Sequence, residues 1–139
     1  MDAALPPEAG STAVAAEGSR AQLTALADEQ GVLPPWTRWW SRDDLVSVIP
    51  EELFNELDRN CPRLPLRYFD GHVSPPPGWA TRPCAFLAFG NTYAREQVFS
   101  RAHGWPVADL DGGHLHFLHD PVTVAQHVLA LDDAMTPKG

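Results

Sequence analysis

Asp111-Gly112-Gly113-His114-Leu115-His116-Phe117-Leu118-His119-Asp120-Pro121 is the stretch from which the rest of the chain is best read. Two adjacent glycines let a backbone turn sharply, because glycine has no Cβ to exclude left-handed conformations. A histidine follows them directly. Pro121 then suits the first turn of a helix, on which Val122, Ala125, Val128 and Leu129 share one face. Upstream of the glycines, residues 105–110 predict a short strand, and residues 93–103 predict a helix closed by Gly104. Before that helix, Cys84-Ala85-Phe86-Leu87-Ala88-Phe89 is continuously apolar, as a buried parallel strand is. The order strand, helix, strand, glycine turn, helix predicts an α/β layer built by right-handed crossovers.

Further upstream the pattern changes. Residues 62–83 are rich in proline, including Pro75-Pro76-Pro77, and predict an extended, semi-rigid connector. Pro50 can open a helix with Glu51 and Glu52 at its positive end. Its apolar side is Leu53, Phe54 and Leu57, while Glu51, Glu52, Glu56 and Asp58 read as a solvated face. Ser41 with Asp44 three residues on predicts an N-cap for a short helix through Val48. Pro34-Pro35 forbid a regular helix through the tryptophan-rich segment that follows them. Residues 20–29 predict one further helix, ended by Gly31, and residues 8–19 predict a loop.

A formal net charge of −8 excludes nucleic acid and anionic membranes as expected partners, since both need a basic face. No apolar run is long enough for a membrane span. Cys84 lies in the apolar strand and reads as a buried thiol rather than a disulfide partner of Cys61. The N-terminus lacks a basic region followed by an apolar one, so the expectation is no signal peptide and a cytoplasmic setting.

The sequence resembles the C-terminal part of the α/β-hydrolase family. The matching pieces occur in order: Cys84 to Gly90, Gly104-Trp105-Pro106-Val107, Gly113-His114, Asp120-Pro121 and Val124-Ala125. Met1-Asp2-Ala3-Ala4-Leu5-Pro6 with Gly10-Ser11 is similar to the strand exit that precedes the lid in many members. The resemblance implies a partial α/β-hydrolase fold: residues 1–15 end a core strand, 16–80 form a helical, proline-rich lid, and 81–139 form the last core strands and final helix. It implies hydrolysis of an ester or similar bond in a small, apolar substrate. His114 takes the position of the catalytic histidine, whose neutral imidazole accepts a proton from a nucleophile and returns it to the leaving group.

In many members the acid follows the strand that is residues 84–89 here, but this sequence reads Gly90-Asn91-Thr92-Tyr93 there. Members such as the haloalkane dehalogenases place it after the preceding strand, which makes Asp2 the candidate acid; the alternative is a structural aspartate. In a lid, Trp36, Trp39 and Trp40 would line the substrate pocket, or else pack the lid. Tyr93 is a candidate pocket residue or simply a helix residue. No cofactor and no metal are implied.

None of Ser11, Ser19, Ser41, Ser47, Ser74 and Ser100 lies in a G-x-S-x-G elbow. The expectation is therefore a C-terminal portion of a longer enzyme, inactive alone, that self-associates or pairs with a missing N-terminal half. The alternative is a non-catalytic interaction module pairing through an exposed sheet edge. A zinc site is a further rival: His114, His116 and His119 approximate the H-x-H-x-D-H spacing of metallo-β-lactamases, but Leu118 stands where the aspartate belongs.

Overall fold

A computed structural model describes residues 1–16 and 18–136. The chain forms two compact units, one of residues 9–75 and one that joins residues 1–8 to residues 76–139. The sequence reading put the corresponding divisions after residues 15 and 80.

The unit of residues 9–75 is mostly helical. Strand β1 (Thr12–Ala13) pairs antiparallel with β2 (His72–Val73), and between them lie α1 (Ser19–Leu26), α2 (Arg42–Leu45) and α3 (Glu51–Asn60). Its buried apolar residues are Leu23, Leu33, Leu45 and Ile49. Ser41 caps α2 through a reciprocal box with Asp44, the motif that its sequence predicts. Helix α2 nonetheless stops at Leu45, short of Val48.

Asp58 is not part of a solvated face. Its side chain is 16% exposed and accepts from the Thr37 hydroxyl at 2.6 Å and the Arg38 guanidinium at 2.7 and 3.0 Å. Those bonds tie α3 to the 3-10 turn Trp36–Arg38. The proline-rich stretch is also less extended than expected. Within it lie the 3-10 turns Leu66–Asp70 and Trp79–Thr81 as well as β2. Proline at a helical start costs no hydrogen bond, so Pro65 opens the first turn; Gly78, at φ 71°, opens the second.

The other unit is the α/β one. Strand β3 (Phe86–Phe89) has all four residues buried and runs parallel to β4 (Val107–Leu110), with Phe86 opposite Val107 and Phe89 opposite Leu110. The intervening helix is α4 (Ala94–Ala102), and α5 (Pro121–Met135) closes the unit. Asp120 caps α5 by accepting from the Thr123 N–H. Leu87, Phe89 and Val124 form the core, joined by Ala108, Leu110 and Leu131.

The face of α5 picked out by the sequence is the outer one. Val122 and Leu129 are about two-thirds exposed, while Val124 and Leu131, seven residues apart, pack inward. Trp79 and Trp105 pack with Phe99, and their indole N–H groups donate to Pro7 O and Ala80 O. The chain as a whole is therefore a mixed α/β protein with small sheets. Among the described residues no helix is long and apolar enough to cross a membrane.

Candidate active site

Two loop exits at the same end of the parallel strands make the site. The chain leaves β3 through Gly90 at φ 64°, where a Cβ would sit 2.8 Å from Gly112 O. It leaves β4 through Gly112-Gly113, and a Cβ on Gly112 would meet the His116 ring at 2.5 Å. Only glycine permits both close approaches. The Gln97 side chain, buried on α4, donates to Gly90 O at 2.9 Å and holds the first exit.

His114 stands at the end of the second exit. Its Nδ1 lies 2.9 Å from Asp2 Oδ2. Asp2 is 3% exposed and is held along the edge of β3: its N–H donates to Leu87 O at 2.7 Å, and its Oδ1 accepts the Phe89 N–H at 2.9 Å. Asp2 thus pairs with β3 as a residue of a further strand would, using its carboxylate where a strand uses a carbonyl.

A carboxylate only accepts hydrogen bonds, so Nδ1 of neutral His114 carries the proton and Nε2 keeps a lone pair. The imidazole side chain is 42% exposed. Asp2 (φ 37°) and Leu115 (φ 69°) are the non-glycine residues with positive φ among those described. One bonds His114 and the other follows it.

Tyr93, at the start of α4, has its ring centroid 5.9 Å from that of His114. Burial raises its phenol pKa first, and the nearby charges of Asp2 and Glu96 raise it further. The hydroxyl therefore stays protonated at neutral pH and can donate. Of the residues named from the sequence, the structure brings together His114, Asp2 and Tyr93.

Trp36, Trp39 and Trp40 lie in the other unit and cluster with each other: Trp36–Trp40 centroids are 5.1 Å apart and Trp39–Trp40 centroids 5.9 Å. Asn91 is exposed, and its carbonyl accepts from the Ala94 N–H at 3.3 Å. His116 packs edge-on to Phe89 and stacks with His119, with centroids 5.6 and 6.3 Å away. Among the described residues no group of three or more His, Cys, Asp and Glu side chains gathers as a metal site. Ser100, the one serine sequence places in this unit, is fully buried and donates to Glu96 O.

Sequence reasoning did not identify the Phe89 N–H, Gln97 or Leu115. The first is a backbone group without a sequence signature. Gln97, four residues after Tyr93, was detectable only as a polar residue on a helix. No family model, curated protein or solved structure matches the chain.

Proposed function

We propose that the chain carries the histidine–acid part of a hydrolase site of the α/β-hydrolase kind, acting on an ester or similar bond in a small, apolar substrate. His114 is the general base and then the general acid. Asp2 fixes its tautomer and stabilises the imidazolium formed during proton transfer. Tyr93 donates to a polar atom of the substrate. The nucleophile comes from a polypeptide segment outside these 139 residues.

The observation that carries the reading is the 2.9 Å contact between His114 Nδ1 and an aspartate almost wholly removed from solvent. Positive φ at Asp2 and Leu115 also supports it, because backbone strain concentrates where function requires a fixed geometry. The test joins this chain to the coding sequence immediately upstream, if that carries an in-frame G-x-S-x-G, and follows p-nitrophenyl acetate. The chain alone should show no serine-dependent turnover. In the joined protein, His114→Ala should cost orders of magnitude, and His116→Ala and His119→Ala far less. Equal losses at all three histidines, reversed by added zinc, would reject the reading.

A second reading is a non-catalytic module that associates through the β3 side of its sheet. It is favoured by a groove of about 300 Å³ lined by Met1, Ala85, Leu87, Leu129, Leu131 and Met135, beside the exposed outer face of α5. The two readings share this surface, because a segment supplying further strands would cover it.

A further inference from the structure

The unit of residues 9–75 holds an aromatic-walled cavity of about 180 Å³, lined among others by Leu23, Trp39, Trp40, Phe69, Ser19 and Gln22. We propose that this cavity binds an uncharged benzene ring carrying one hydrogen-bonding substituent. The inference concerns the residues of this unit alone and does not rest on the histidine site.

Size sets the first limit. A dry apolar cavity of about 150 Å³ accepts benzene, whereas pockets for larger ligands span roughly 300–1,000 Å³. One ring with a short substituent fits.

Charge sets the second. Among the described residues no charged side chain lines the cavity, and an ion moved from water into apolar surroundings without a partner is disfavoured. Arg20, the nearest cation in sequence, is already paired with Asp70 at 2.8 Å.

The walls are built before any ligand arrives. Trp39 is fixed by its indole N–H donating to Pro34 O at 2.9 Å and by edge contact with Phe69, with centroids 5.6 Å apart. Phe69 belongs to the turn Leu66–Asp70, which the Leu66 N–H anchors to Gly31 O at 2.8 Å. Trp40 stands 5.9 Å from Trp39 at an interplanar angle of 33° and is 42% exposed. Offset and edge-on ring geometries at these spacings favour an aromatic guest over an aliphatic one of equal size.

Ser19 and Gln22 are three residues apart on α1 and therefore neighbours on its surface. Among the described residues they supply a hydroxyl and an amide to the lining, and suit one alcohol, phenol or ester oxygen.

Benzyl alcohol is the probe, with benzoate and benzylamine as charged analogues of the same shape. Indole N–H signals of the full chain are followed by ¹H–¹⁵N NMR during titration, so binding is read without turnover. The expected result is saturable shifts at Trp39 and Trp40 with none at Trp79 and Trp105. The charged analogues should bind at least tenfold more weakly, and Trp40→Ala, with its amide spectrum otherwise preserved, should lose at least tenfold. No saturable shift in the folded chain, equal shifts at every indole, or equal affinity for benzoate would overturn the proposal. None of those outcomes bears on His114-dependent proton transfer, and loss of that chemistry would leave the binding result unchanged.

Discussion

Asp2 divides one carboxylate between two duties. Oδ1 pairs the buried Phe89 N–H and Oδ2 faces His114 Nδ1. Two substitutions separate those duties. Asp2→Ala leaves the Phe89 N–H without an acceptor, and an unpaired buried donor costs about 1–3 kcal/mol, so the urea midpoint should fall by a corresponding amount. Asp2→Asn keeps an amide oxygen for Phe89 but can turn an N–H₂ toward His114. Stability should then stay within about 1 kcal/mol of the parent, while the imidazole switches to the Nε2–H tautomer. Equal destabilisation by both substitutions would show that Asp2 acts on the sheet alone. The turn that bears His114 was legible from the sequence, because two glycines precede the histidine and a helix-opening proline follows. Asp2, 112 residues away, was reachable only through the family resemblance. Nothing in composition or periodicity couples it to the turn.

At the scale of elements, legibility followed how much local information each element carries. Strand β3 was readable because burial on both faces leaves a continuous apolar run. Helix α2 was readable because its cap is written in two side chains. Strands β1 and β2 have two residues each, too few for any period. Helix α5 misled in an instructive way: it has an apolar stripe at Val122, Val128 and Leu129 and another at Val124 and Leu131, and periodicity does not say which one meets the sheet. Asp58 likewise sits at a helix position that reads as solvent-facing, yet bonds from Arg38 and then Thr37 hold its pKa down to about 2 from an ordinary value of 3.8. A carboxyl with a depressed folded pKa contributes stability that is present above the unfolded value and lost as pH falls through the folded one. The link between α3 and the Trp36–Arg38 turn should therefore weaken between about pH 4 and pH 2. Thermal unfolding followed across that window should show a fall in midpoint that Asp58→Asn largely removes. An unchanged slope in the variant would assign the acid sensitivity to other carboxylates.

For the whole molecule, composition and surface oppose each other. A net charge of −8 keeps copies apart at low ionic strength. The outer face of α5 and the groove beside β3 expose Met1, Val122, Val128 and Leu129. Covering a large apolar side chain is worth roughly 1.5–3 kcal/mol. Association should accordingly grow with protein concentration and, because salt screens the repulsion, with added sodium chloride. Sedimentation velocity over a concentration series should show this, and Leu129→Glu should abolish it. A monomer at every concentration and salt level would mean that the exposed stripe needs no cover. The hydrolase reading itself depends on the short contact between a turn histidine and a buried aspartate. That contact is tested most directly by ¹H–¹⁵N NMR of the imidazoles at pH 8, where an ordinary histidine is neutral. The account predicts that His114 carries its proton on Nδ1, with a downfield N–H signal that Asp2→Ala abolishes. An Nε2–H tautomer in the unsubstituted chain, insensitive to Asp2, would contradict it.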